Sequence, residues 1–277
     1  MQSTLSPTPT HTRRRRPAAF VVRDPPPDEI DAQVDWSAWY LTDEEDMGQN
    51  VEQADEIHET LSALEVLAEE RGWKDVLCAS DSFFAWIEAE PLVRVSPDVY
   101  LLDHPPPRPW PKMWQTWVPG HKAPRWALEI VSDDWKKDYE DNPPKYAQLG
   151  TRELVIFDPQ AAAAGPNGNG APVRVPLQVY RRGADGAFVR VYRGNGPAHS
   201  EELDAWLVVQ RDGGVVRIRI ARDTAGADIV PTALEAKRAS DEKSRLADEA
   251  RRVADEARIQ AEERLRVLEA ELRKLAG

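Results

Sequence analysis

Cysteine is almost missing from this 277-residue chain, where Cys78 stands alone. One thiol forms no internal disulfide and makes no zinc site by itself, since such sites usually take about four Cys or His ligands. Both exclusions fit a reducing cytoplasm. No run approaches the roughly 20 apolar residues that a bilayer span needs, so no membrane partner is expected. After the arginines at 13–16 only residues 17–22 precede the next charge, too short for a signal-peptide core, and secretion is not expected. Lysine and arginine are absent from Asp24 to Glu70, a stretch with sixteen Asp and Glu in a chain of net charge −12. That stretch repels phosphate, so any nucleic-acid contact must come from Arg125, Lys136, Lys137, Lys145, Arg152 and Arg174.

The length allows one sizeable core with appendages. Residues 1–50 combine a Ser/Thr/Pro-rich start, an arginine run, three consecutive prolines and scattered acids, and read as a disordered tail. From 54 to 72, Ile57, Leu61, Leu64 and Leu67 recur at helical spacing, with Gly72 as a stop. Short β-rich segments at 76–79, 83–88 and 97–102 follow. A Pro- and Trp-rich loop at 105–120 separates them from an apolar strand at 126–131 that holds one acid, Glu129. Asn142-Pro143-Pro144 has helix-start chemistry, Asn142 serving as cap, with a helix to Leu149 and a stop at Gly150. A strand at 153–157, a low-complexity loop at 161–170 and strands at 177–180, 188–192, 203–210 and 215–220 complete a domain over 51–222. Strand and helix order predicts an α/β (α+β) fold: a mixed sheet core with flanking helices.

The segment 231–277 is rich in Ala, Glu, Arg and Leu, with no glycine before Gly277, and predicts one long charged helix. Leu265, Leu268, Leu272 and Leu275 keep a/d spacing, but earlier heptads put Arg258 and Arg251 at a. A short self-associating coiled coil and a solvated single helix both remain open.

The chemistry-bearing block runs from Pro97-Asp98 through Glu129 and Ser132 to Lys145-Tyr146, Gly150, Glu153 and Asp158-Pro159. Phosphodiester hydrolysis at neutral pH calls for a divalent ion, and Mg²⁺ prefers one or two carboxylates with other positions left to water and phosphate. Asp98 and Glu129 can supply these two ligands, because an acid between Leu128 and Ile130 is desolvated unless it meets a cation. A nearby ammonium then steadies the charge built up in the transition state.

With that order of residues, the stretch 96–159 resembles the Uma-type restriction-endonuclease family of the PD-(D/E)XK superfamily. The resemblance implies a restriction-endonuclease-like fold, cleavage of nucleic acid (DNA first), and Mg²⁺ or Mn²⁺ bound by Asp98 and Glu129. The superfamily's lysine, two residues after the acid, is here Val131. The family's lysine, four residues before the tyrosine, is here Asn142. Lys145 is the nearest substitute and completes the catalytic set, with Lys136 and Lys137 behind it.

Each residue also has a plainer reading. Asp98 can cap a turn, Lys145 can be a solvated helix residue, and Ser132 with Asp133 and Asp134 can form a polar turn. Tyr146, Gly150, Glu153 and Asp158 read as structural, the 110–117 tryptophans as loop anchors, and Cys78 as a core thiol. A different class of function is also open: a catalytically inactive nuclease fold that oligomerises or binds partners through its terminal helix.

Overall fold

A computed structural model describes residues 51–132, 135–164 and 174–275. The tail expected at 1–50, the Asp133-Asp134 pair and most of the 161–170 loop lie outside them. The chain divides into two compact units between Val230 and Pro231.

In the first unit, helix α1 (Val51–Glu70) buries Ile57, Leu64 and Leu67 along one face, as their spacing requires. Strands β1 (Val76–Ala79), β2 (Phe83–Ala85), β3 (Arg94–Val95), β4 (Val99–Asp103), β5 (Met113–Gln115) and β6 (Trp126–Ile130) follow. A π-helical turn, Lys137–Asp141, leads into α2 (Asn142–Leu149), then β7 (Glu153–Phe157) and α3 (Pro159–Ala164). Strands β8 (Leu177–Arg182), β9 (Phe188–Gly194), β10 (Ala198–Ser200), β11 (Ala205–Asp212) and β12 (Val215–Ala221) close the unit.

The main sheet is mixed, in the order β1-β4-β6-β7-β8-β9. Its central pair β6–β7 is parallel and the other four pairings are antiparallel. A parallel pair cannot be joined by a hairpin, so the crossover through the π turn and α2 is obligatory. One face packs Trp126, Leu128, Val155 and Phe157 against α1 and the β10-β11-β12 sheet. The opposite face packs Tyr100, Ala127, Leu154 and Ile156 against Tyr146 and Leu149 of α2 and Phe84 and Trp114 of the β3-β2-β5 sheet. Trp114 of the proline-rich loop is thus a core anchor, stacked on Phe84 at 6.1 Å.

The structure corrects several sequence expectations. The loop at 105–120 contributes β5, which pairs in parallel with β2, and the strand expected at 83–88 ends at Ala85. Residues 161–164 continue α3 because Asp158 Oδ1 accepts the Ala161 N–H at 2.8 Å and holds its start. The unit extends to Val230, whose N–H donates to Ile220 O at 2.8 Å. Asn142 is not the cap: Asp141 precedes the helix, and the Asn142 side chain points inward.

Helix α2 ends at Gly150, whose φ is +98°, and the Thr151 N–H reaches back to Tyr146 O at 3.1 Å. A Cβ there meets nothing closer than Ala123 Cβ at 3.8 Å. The cost of Gly150→Ala is therefore backbone strain alone, about 1–2 kcal/mol. Urea unfolding should show a lower midpoint with an unchanged slope.

The second unit is helix α4 (Ala233–Leu275), 43 residues long. A capping box closes its start: Thr232 N–H donates to Glu235 Oε2 at 2.7 Å, and Glu235 N–H donates to Thr232 Oγ1 at 3.2 Å. Ion pairs three and four residues apart run along it, and Leu246, Val253, Leu265, Leu268 and Leu272 are all exposed. No helix among the described residues is long and apolar enough to cross a membrane.

Candidate active site

Alternation along β6 decides where Glu129 goes. Trp126, Leu128 and Ile130 face α1, so Ala127 and Glu129 face α2. Along β4, Tyr100 and Leu102 share that second face, and Asp98 lies two residues before Tyr100, at its open end. The antiparallel register pairs Val99 with Leu128, so its next step sets Asp98 opposite Glu129. The two carboxylates that the sequence picks out are brought to one side of the sheet, and both are buried.

Asp98 Oδ2 accepts the Ile130 N–H at 2.6 Å, and Oδ1 accepts from Gln53 Nε2 of α1 at 3.1 Å. Glu129 Oε1 accepts from the Tyr146 hydroxyl at 2.6 Å and from Asn142 Nδ2 at 3.1 Å. Asn142 Nδ2 also donates to Asp138 Oδ1 at 3.1 Å, joining a third buried acid to the group. Asn142 and Tyr146 reach the same oxygen because residues four apart share one face of α2. Sequence reasoning took Tyr146 for packing and did not find Asp138 or Gln53. The four-residue step from Asn142 to Tyr146 was the signal for two of the four.

Burial is the main cause that raises the pKa of these acids. It pushes Asp98 up to about 7, aided by the charges of Asp138 and Asp81 and opposed by the Ile130 amide and Gln53. Glu129 is driven well above the carboxylate range by burial and then by Asp98 and Asp138, with Lys137 pulling the other way. Tyr146 is raised well above its usual value by burial and the Glu129 charge. Mutually repelling acids in a dry site are the donor set for a hard divalent ion, whose charge replaces the protons. Among the described residues no group of three or more His, Cys, Asp or Glu is spaced as a ready-made metal site. Two carboxylates with water and phosphate completing the shell is the arrangement Mg²⁺ prefers.

The lysines separate. Lys145 is buried on α2, 4% exposed. Lys137 begins the π turn with its Nζ 3.8 Å from Asp138 Oδ1. Lys136 is exposed and lies over the Trp135 ring at 5.9 Å. Ser132 is half-buried, and Asp133 and Asp134 lie outside the described residues.

Glu153 and Asp158 are held by arginines. Arg181 Nε donates to Glu153 Oε2 at 3.0 Å, and the Ser200 hydroxyl also bonds this carboxylate. Arg174 grips Asp158 with two bonds of 2.7 Å, while the Tyr139 hydroxyl lies 2.9 Å from the same carboxylate.

No curated protein matches the chain. One solved structure similar to it is a protein from Anabaena variabilis titled a "putative nuclease", 13% identical, with a TM-score of 0.38; the match covers 57% of this chain and 75% of that one. The model of the family described as "Uma2: Putative restriction endonuclease" matches residues 45–207. That match spans more than half of the chain, and the protein belongs to the Uma2 family.

Proposed function

We propose that the protein is a divalent-cation-dependent endonuclease that hydrolyses phosphodiester bonds of nucleic acid, with DNA as the first substrate. The observation that carries this reading is the pair Asp98 and Glu129, buried and set opposite each other on one sheet face, with both carboxyls pushed above the usual carboxylate range by burial. Bound there, Mg²⁺ or Mn²⁺ would polarise the phosphate and supply an activated water. The chain's own part is to hold the two carboxylates in place: Tyr146 and Asn142 fix Glu129, and Gln53 and the Ile130 amide fix Asp98. A lysine of the same segment supplies the ammonium, and Lys145 is the residue that the sequence nominates.

Incubation of supercoiled plasmid and of single-stranded RNA with purified protein, in Mg²⁺, Mn²⁺ or EDTA, tests the proposal. Metal-dependent cleavage should fall by at least about 100-fold in Asp98→Asn and in Glu129→Gln. Cleavage that survives both substitutions, or that EDTA leaves untouched, refutes it.

A second reading is a silent module working through α4, in a cytoplasmic setting. It is favoured by Asn142 at the family's lysine place and by the exposed leucines of α4, which offer a short coiled-coil seam to a second copy. Light scattering of the full chain and of Leu268→Glu/Leu272→Glu distinguishes a dimer from a lone helix.

A further inference from the structure

Resting on the nuclease reading, we infer that Lys137, delivered by the π turn, is the ammonium that faces the scissile phosphate. The argument starts from the backbone. The Asn142 N–H donates to Lys137 O, a bond five residues back rather than four. Asn142 and Tyr146 already point at Glu129, so the residue stacked one turn before Asn142 occupies the same face. In an unbroken α-helix that residue would be Asp138, with Lys137 turned about 100° away. The wider turn brings the 137–138 step to this face, so that an ammonium and a carboxylate arrive together.

The side chains follow the backbone. Lys137 Nζ lies 3.8 Å from Asp138 Oδ1, Asn142 Nδ2 is 3.1 Å from that same oxygen, and the other hydrogen of Nδ2 goes to Glu129 Oε1 at 3.1 Å. Lysine, aspartate, asparagine and glutamate thus form one connected line ending at the proposed metal ligand. Exposure separates the two lysines. The Lys137 side chain is 28% exposed and so open to a phosphate arriving from solvent, whereas Lys145 is buried within α2. Tyr139, two residues on, pins the turn by placing its hydroxyl 2.8 Å from Val175 O.

The chemistry assigned to Lys137 needs no proton transfer from it. Hydrolysis forms a bond from the water oxygen to phosphorus and breaks one P–O ester bond, whose electron pair leaves with the departing oxygen. The water proton passes to solvent, and the departing oxygen takes one from solvent. Lys137 stays protonated and offsets the negative charge that gathers on the phosphoryl oxygens.

The test compares full-length Lys137→Gln, Lys137→Arg, Lys145→Gln and, as the charge-matched control, Lys74→Gln, an exposed lysine before β1. Cleavage rates and Mn²⁺ calorimetry are measured on each. Lys137→Gln should lower kcat at least about 100-fold with little change in KM, Lys137→Arg should recover part of it, and Lys74→Gln should match wild type. Removing a positive charge beside the carboxylates should also tighten Mn²⁺ at least about threefold. A normal kcat in Lys137→Gln, or a loss confined to a folded Lys145→Gln, overturns the inference and leaves the nuclease reading standing. A wild type that binds Mn²⁺ without cleaving defeats the nuclease reading; an Mn²⁺ affinity unchanged by Lys137→Gln then defeats this one too.

Discussion

Without a divalent ion the protein should melt at a higher temperature at pH 5 than at pH 8. Asp98 titrates near 3.8 in an unfolded chain and at about 7 in the fold, mainly because it is buried. Between those values the native protein holds a proton that the unfolded one releases. Its stabilising share is complete below about pH 4 and disappears as pH rises through about 7. A rise from 3.8 to about 7 corresponds to something on the order of 4 kcal/mol, and Glu129 acts in the same direction. Glu56, pushed up to about 7 by burial under β12, contributes in the same window. Calorimetric scans at pH 5 and pH 8 of wild type and of Asp98→Asn/Glu129→Gln separate these groups. The double variant should lose most of the slope and keep the shares of Glu56 and of Glu202, which burial also raises. Mn²⁺ should offset part of the trend, because it would bind the ionised pair; at a hundredfold excess over Kd it should add about 2.7 kcal/mol, with the greatest effect at pH 8. If the double variant kept the wild-type slope, the acids would not be the desolvated pair described above.

Arg174→Met should destabilise the fold by about 3–5 kcal/mol, the usual result of stranding one member of a buried ion pair. Asp158 is fully buried, and Arg174 supplies two of its bonds at 2.7 Å. The same carboxylate holds the start of α3 through Ala161 and lies beside the Tyr139 hydroxyl of the π turn. Loss of Arg174 should therefore appear in urea unfolding and also as faster amide exchange across the π turn. Arg174→Met/Asp158→Asn, which removes the unpaired charge, should recover part of the loss. Full wild-type stability in the single variant would mean that the arginine contributes nothing.

Much of the main sheet is legible in the sequence because its strands are long enough to show their character. Residues 126–130 and 153–157 are apolar but for one acid each, Glu129 and Glu153, and such near-continuous apolar runs mark strands covered on both faces. Strands β3, β5 and β10 have only two or three residues each, too few for a period, and exist because tertiary partners hold them. In the candidate site, Asp98 and Glu129 are visible as acids in apolar surroundings. Asp138 is not, because a π turn leaves no hydrophobic period to read. An Asn before two prolines looks like a cap, yet its side-chain amide turns inward to Glu129 and Asp138. Gln53 is invisible for another reason: it meets Asp98 across 45 positions of chain.

The parallel β6–β7 ladder couples acid–base character to completion of the chain. Glu129 sits across from Ile156, so one wall around it arrives more than twenty positions later in synthesis. A nascent chain ending before Phe157 leaves that edge wet, and a wet glutamate has ordinary acidity and little hold on an ion. A copy cut short there should lack the buried acid pair, which forms only once β7 has closed against β6.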